Sequence, residues 1–254
     1  MKNNVKSLLL LQVAVMLFGF SGVIRRGIDA SSISVATGRV IFSSIILFCL
    51  LKLLKIKISS NNKQDTLLTI LAGILLAIHW TTFFQSIQLG SVAIGTITFS
   101  TFPMFLLWLE PMIYHEKISI VNIVLSIGLL IGVFITIPEF TLSNNITLGI
   151  VWGMICSITY AFLTLINRKL SKTYTGVWIS FREQSVAAII LFPLFLYQHE
   201  ILSTKDILGI ASIGVICTAF AFSLFVSCQK NVSAQSAGIS SGMETVYGIL
   251  FACI

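Results

Sequence analysis

Nine stretches of predominantly apolar residues, at about 8–24, 33–54, 67–88, 92–114, 118–138, 148–167, 176–197, 206–228 and 233–254, follow one another with only short polar breaks between them. Roughly 20 such residues are what an α-helix needs to cross a hydrocarbon core of about 30 Å. In lipid each segment must satisfy its own backbone hydrogen bonds, and that selects helices. Composition agrees: 56% of the 254 residues are hydrophobic and 10% charged, against about 25% charged in ordinary globular domains, and mean hydropathy is +0.99. The start, MKNNVKSLLLLQVAVMLFGFSGVIRR, has the basic head and apolar run of a secretory signal. No small-residue cleavage site follows, so it reads as a retained first span. Cys49, Cys156, Cys217, Cys228 and Cys253 lie in or at the ends of spans with no C-x-x-C spacing, which suggests neither a disulfide framework nor a metal site.

The basic residues orient the bundle. With the amino terminus cytoplasmic, the inner segments hold Lys2, Lys6, Lys52, Lys55, Lys57, Lys63, Lys117, Arg168, Lys169, Lys172 and Lys230, while the outer ones hold only Arg25, Arg26 and Lys205. The excess of Lys and Arg in short inner loops predicts a multi-pass protein of the cell (inner or plasma) membrane with a cytoplasmic amino terminus. The net charge of +7 then reflects topology and contact with anionic lipid. No basic run interleaved with aromatics lies outside the spans, so membrane lipids are expected partners and nucleic acid is not.

The chain also repeats itself. A shift of about 142 lays residues 88–108, QLGSVAIGTITFSTFPMFLLW, on 230–250, KNVSAQSAGISSGMETVYGIL, with Ser91 on Ser233 and Pro103 on Thr245; one residue more lays Arg39 on Arg182. Five spans is an odd number, so a second copy enters the membrane upside down, the inverted arrangement of secondary transporters with a substrate site near the midplane. The expected units are 1–140 and 141–254.

This pattern, the turn at Leu89–Gly90–Ser91, and the blocks FPMFLLWLEPMIYHEKIS and SSGMETVYGILFA resemble the EamA family of the drug/metabolite transporter superfamily over essentially the whole chain. The resemblance implies an all-α membrane protein of two inverted five-helix repeats and, as function, proton-linked or facilitated export of small organic metabolites. The family's Gly-Glu-Arg-like turn after the fourth helix stands here as His115–Glu116–Lys117, and its Glu-Pro in the ninth as Glu244–Thr245. It also implies a tenth helix. The repeat length puts the end of the second copy at about residue 280, beyond Ile254, so the sequence reads as a fragment of about nine helices.

Ionisable residues deep in lipid are costly and mark pathways. Glu244 lies about twelve residues into its span, at the midplane, on a small and polar stripe with Ser240, Ser241 and Tyr247. His79, Trp80, Phe83, Phe84 and Gln85 cluster at the centre of the third span and form the matching wall of a substrate cavity. Trp152 and Tyr160, eight apart on the sixth span, are further candidates. The alternative for each is packing: a satisfied core histidine, lipid-facing aromatics, a hydrogen-bonded acid. Arg39 and Arg182 fall near opposite ends of their helices, either snorkelling to phosphate or serving as gates. Glu110, at a depth similar to that of Arg182, is the acid with which that arginine is expected to pair.

No metal or catalytic centre is expected. Aspartates for an intramembrane protease are absent from the spans, Gly238–Ile239–Ser240–Ser241 is only a partial match to a G-x-S-G, and no H-E-x-x-H occurs. The expected function is secondary-active export of amino-acid-like, aromatic or amphipathic metabolites by a monomer or homodimer. No cofactor is expected, and proton coupling is the candidate energy source. A lipid or lipid-linked sugar flippase on the same fold, or a non-transporting membrane scaffold, are the alternatives.

Overall fold

The computed structural model of the protein describes residues 2–60, 62–115 and 144–252, with positions 120, 123, 124, 127, 128, 131 and 135 between them. Its elements are α1 (Lys2–Arg26), α2 (Ser32–Leu53), α3 (Lys63–Leu89), α4 (Val92–Phe99), α5 (Phe102–Tyr114), α6 (Asn145–Leu170), α7 (Gly176–Gln198), α8 (Thr204–Ser212), a π-helical stretch (Ile213–Phe220), α9 (Ala221–Cys228), α10 (Ala234–Ser241) and α11 (Met243–Ala252). Among the described residues seven segments are long and apolar enough to cross a membrane: Val5–Arg26, Ser32–Leu53, Lys63–Leu89, Val92–Tyr114, Asn145–Leu170, Gly176–Gln198 and Thr204–Cys228. The expected span at 118–138 and the turn residues Glu116 and Lys117 lie outside the described residues, apart from the scattered positions. The expected ninth span is two short helices, α10 and α11, with Gly242 between them.

Helices start where the sequence supplies a cap. The side chains of Ser31, Asn62, Ser91, Asn144, Thr175, Ser203 and Ser233 each accept a backbone N–H from the first turn that follows. These are groups that the helix itself leaves unpaired. Ser91 Oγ accepts Ile94 N–H at 3.1 Å and Ser233 Oγ accepts Ser236 N–H at 3.1 Å, so the two positions related by the 142 shift do the same work. The same shift places the break in the fourth span at Ser100 on the break in the ninth at Gly242.

The first break has a legible cause. Pro103 has no N–H, so the i→i−4 bond to Phe99 cannot form. Ser157 on α6 offers the freed acceptor a donor: its Oγ lies 3.2 Å from Phe99 O and 2.9 Å from the neighbouring Thr98 O. Thr101 Oγ1 donates to Thr98 O at 2.7 Å.

Elements before residue 115 pack chiefly on elements after 144: α3 on α6 and α7, α2 on α7 and the π-helical stretch, α1 on α11 and α9. Glycines allow two of these approaches. A Cβ on Gly19 would lie 2.8 Å from both Glu244 O and Gly248 N, and one on Gly73 would lie 2.9 Å from Glu183 O, in each case main chain that cannot step aside. The outward surface is apolar, with Leu9, Ile45, Leu67, Trp108, Met112, Ile189 and Leu208 exposed. The interior holds Arg39, His79, Glu110, Glu183, Gln184 and Glu244. That reverses the water-soluble pattern and suits a lipid solvent.

Gly73→Ala is expected to destabilise the bundle by about 1–3 kcal/mol, the cost of overpacking a close helix contact. A lowered thermal midpoint in detergent micelles measures it; an unchanged midpoint would mean that α3 and α7 are not held this closely.

Candidate functional site

The centre of the bundle is an aromatic cage around a small cavity. Phe18 from α1, His79, Trp80 and Phe83 from α3, Phe99 from the end of α4, Tyr160 from α6 and Glu244 from the first turn of α11 line it. The cavity holds about 10 Å³, room for one water molecule. Phe99 enters because the break after α4 turns the chain there. Its ring lies 5.4 Å from that of His79 and 5.1 Å from that of Tyr160, and stacks on Phe102 at 5.0 Å. His79 sits 4.5 Å from both the Trp80 and Tyr160 rings. Its Nδ1 lies 3.3 Å from Cys156 O and 3.1 Å from Cys156 Sγ, so Cys156 holds this edge of the ring.

Glu244 brings the carboxyl group to this cage. It is 5% exposed, and among the described residues no hydrogen-bond donor reaches it. Arg39 stands behind the indole of Trp80, its Cζ 3.4 Å from the ring centroid, a cation–π contact. Its Nε donates to Thr218 Oγ1 at 2.8 Å. Both Nη atoms are buried without a partner. Thr218 is presented by the π-helical stretch, its hydroxyl bonding back five residues to Ile213 O at 3.0 Å. Such π-helical turns occur often at functional sites.

Several expected positions differ from this arrangement. Arg39 is not at a mouth: it is wholly buried, because its long side chain runs inward to Trp80 and Thr218. Trp152 is 37% exposed on the outer surface while Tyr160 is buried; eight residues turn a helix about 80° past two full turns, so the two do not share a face. Phe84 packs on Trp80, ring centroids 6.4 Å apart, outside the cavity lining. Gln85 and Ser240 are half-buried away from the lining. Ser241 Oγ donates to Ala237 O within its own helix at 3.0 Å, and Tyr247 OH donates to Gln12 Oε1 at 3.2 Å, so the stripe on the ninth span packs against neighbours except at Glu244.

The expected Arg182–Glu110 pair does not form. Arg182 reaches Thr69 Oγ1 at 3.5 Å and lies over the Trp178 ring. Glu110, wholly buried, forms an ion pair with Arg168 at the end of α6 and also accepts Ala234 N–H at 2.9 Å and Gln235 N–H at 3.0 Å. The reason is the start of α10: its unpaired N–H groups face Glu110, and a carboxylate there satisfies two of them and complements the helix dipole. Elsewhere on the loops at this end, Tyr174 OH donates to Asp65 Oδ2 at 2.7 Å and Trp178 Nε1 to Ile58 O at 3.1 Å. At the opposite end a depression of about 430 Å³ opens beside Arg25, Arg26, Asp29, Gln88 and Ser91. There Ser31 N–H and Ser34 Oγ bond to Glu200. Burial works to raise the Glu200 carboxyl, but these hydrogen bonds outweigh it and hold the group below the usual carboxylate range.

The sequence reading passed over Glu183, wholly buried on α7. Its signal is the one that marked Glu244, an acid well inside an apolar run; the neighbouring Arg182 drew the attention instead.

Glu110→Ala is expected to cost about 3–5 kcal/mol, because it strands a mostly buried guanidinium as well as two helix-start N–H groups. Glu110→Gln, which keeps an acceptor, should cost less. Thermal unfolding of the two variants in the same detergent gives the order; equal stabilities would show that this contact holds nothing.

The EamA-like transporter family matches this chain at residues 5–137 and again at 147–254. An uncharacterized transporter YxxF of Bacillus subtilis (strain 168) is 24% identical over 246 residues, 94% of this chain and 78% of that protein. An uncharacterized transporter of Archaeoglobus fulgidus is 23% identical over 235 residues, 91% of this chain and 81% of its own length. A solved crystal structure superimposes with a TM-score of 0.74 over 98% of this chain and 88% of that one at 12% identity, which speaks for the fold alone.

Proposed function

Since the chain belongs to the EamA-like transporter family, a family of multi-pass membrane transporters, we propose that it is a secondary-active exporter of small organic metabolites, amino-acid-like, aromatic or amphipathic, working by alternating access. The observation that carries this reading is the central cage. Six aromatic or imidazole rings converge with one carboxyl group from the first turn of a broken helix, in the middle of a protein whose outer surface is apolar. Rings offer stacking surface to a flat or apolar body, and Glu244 offers an anion to an ammonium group or a site for a proton.

A cavity of about 10 Å³ admits no metabolite; small-molecule sites run to about 300–1,000 Å³. The described conformation is therefore an occluded one on this reading. Transport requires α4–α5 and α10–α11 to move about their breaks at Ser100–Thr101 and Gly242. Glu244 exchanges its proton first with one side and then with the other, and His79, in the same cage, is the second candidate in that exchange. The excess of basic residues in segments 54–63 and 168–172 supports a cytoplasmic side for those loops and the amino terminus, in a protein of the cell membrane.

The test is flux in proteoliposomes against a panel of aromatic amino acids, nucleosides and organic cations, with and without an imposed pH gradient. The wild type should accumulate at least one of them when a pH gradient is present. Glu244→Gln should lose that accumulation and keep exchange at equal pH. Accumulation in the Gln variant equal to the wild type would remove Glu244 from coupling, and scrambling of a labelled phospholipid without uptake of any solute would replace export by lipid flipping.

A further inference from the structure

Asn167 Nδ2 on α6 donates to Glu183 Oε2 on α7 at 3.5 Å. The other two atoms of this pair, Glu183 Oε1 and Asn167 Oδ1, are buried with no hydrogen-bond partner. With Glu183 ionised both are acceptors, and two acceptors cannot satisfy one another. One proton on Oε1 removes the problem: the acid O–H donates to the amide oxygen while the amide N–H donates to the acid carbonyl, a reciprocal pair that leaves neither atom orphaned.

Among the described residues no cation offers an alternative. On its own helix Arg182 is turned to Thr69 and Trp178. From α2, Arg39 is stacked on Trp80 and Lys52 lies over Phe48. From α3, Asp65 bonds to Tyr174 and His79 to Cys156; from α6, Arg168 is taken by Glu110; and α9 contributes Cys228. Tyr160 on α6 is coupled electrostatically to Glu183, and to Glu244 and Arg39 as well. Tyr160, Thr164 and Asn167 follow one another at helical spacing on α6, so this face runs from the cavity lining to Glu183.

The surroundings also provide for the charged form. Ser180 Oγ, the Gln184 amide and Thr164 Oγ1 are buried without partners. Ser180, Glu183 and Gln184 span an arc of about 100° on α7, and Thr164 precedes Asn167 by three residues on α6. Two hydroxyls and an amide on these two faces are donors that a carboxylate would use and a neutral acid would not. A fixed structural acid needs only Asn167; a carboxyl that alternates between two states uses both sets.

We infer that Glu183 is a second proton-carrying residue, held neutral against Asn167 in this conformation and releasing its proton to water, as a carboxylate solvated by Ser180, Thr164 and Gln184, when the bundle opens toward the end closed by Glu110. The inference rests on the transporter reading above for its role in flux. Tyr160, shared by both acids, lets the charge on Glu183 be felt at the cavity.

The experiment has two arms on the purified full chain in liposomes. Infrared difference spectra across a pH titration should show a neutral-carboxyl C=O band that disappears in Glu183→Gln and shifts in Asn167→Leu. In flux measurements with radiolabelled phenylalanine as probe, Glu183→Gln, whose amide imitates the neutral acid, should keep exchange at equal pH and lose one proton from the proton-to-substrate ratio. Absence of any band assignable to Glu183, or an unchanged ratio in the Gln variant, overturns the inference. Should the wild type move no phenylalanine, the reading of that substrate fails by itself, and the infrared arm still decides the proton. Should the Gln variant fail to fold, the band shift in Asn167→Leu carries the same decision.

Discussion

The hydroxyl of Ser157 holds the architecture of the site together. A helix broken within a membrane frees carbonyl groups that have no water to turn to. Thr98 O already accepts from Thr101, and the one hydroxyl proton of Ser157 is within reach of the carbonyl that Pro103 leaves free, Phe99 O at 3.2 Å, with Thr98 O and Gly153 O beside it at 2.9 and 3.0 Å. Because the break is satisfied there, Phe99 can leave the helix line and face His79 and Tyr160. Without that donor the fourth span would gain by straightening or shifting, and the ring that closes one wall of the cavity would be lost.

The interlocking of early and late helices follows from the same economy. α3 lies against α6 and α7, and glycine at 73 lets the main chains come close enough for dispersion and packing to act where lipid provides no hydrophobic drive. The cage is then built from helices far apart in sequence, Phe18 from one end of the chain and Glu244 from the other. Opening it requires whole helices to move against one another, which suits pivots at Ser100–Thr101 and Gly242 better than adjustment of single side chains.

Much of the fold was legible because lipid imposes so few solutions. Span length, helical class and the family resemblance came from hydropathy and from blocks such as SSGMETVYGILFA. His79, Trp80, Phe83 and Glu244 follow from counting residues to the middle of their spans, Tyr160 is a further candidate on the sixth, and the structure gathers those five around one cavity. Helix rotation and side-chain reach were not legible. Counting placed Arg39 by its Cα, whereas a guanidinium extends several ångströms from that point and here runs inward to Trp80. Spacing of eight looked like a shared face for Trp152 and Tyr160 and is about 80° away from one. The partner of Glu110 was hidden because it is partly backbone: nothing in the side-chain sequence of Ala234 and Gln235 announces two N–H donors, only the expectation that a helix must start somewhere near Ser233.

Three buried glutamates show how environment rather than residue type assigns a role. Glu110 has an arginine and two backbone donors, a full set for a carboxylate; its charge is balanced in place, and moving it would break the bundle's inner closure. Glu183 has one amide, whose second atom has no donor in this conformation and gains one when the acid carries a proton. Glu244 has aromatic walls, a cavity and, across the indole of Trp80, an arginine whose two Nη groups remain unpaired. A fully partnered ion is a joint, whereas a group whose hydrogen bonds are incomplete in the resting state can gain by exchanging a proton or meeting a ligand. In this bundle the incomplete pair lies at the cavity and on the face of α6 leading from it, and the complete ion pair lies beyond, at the closed end.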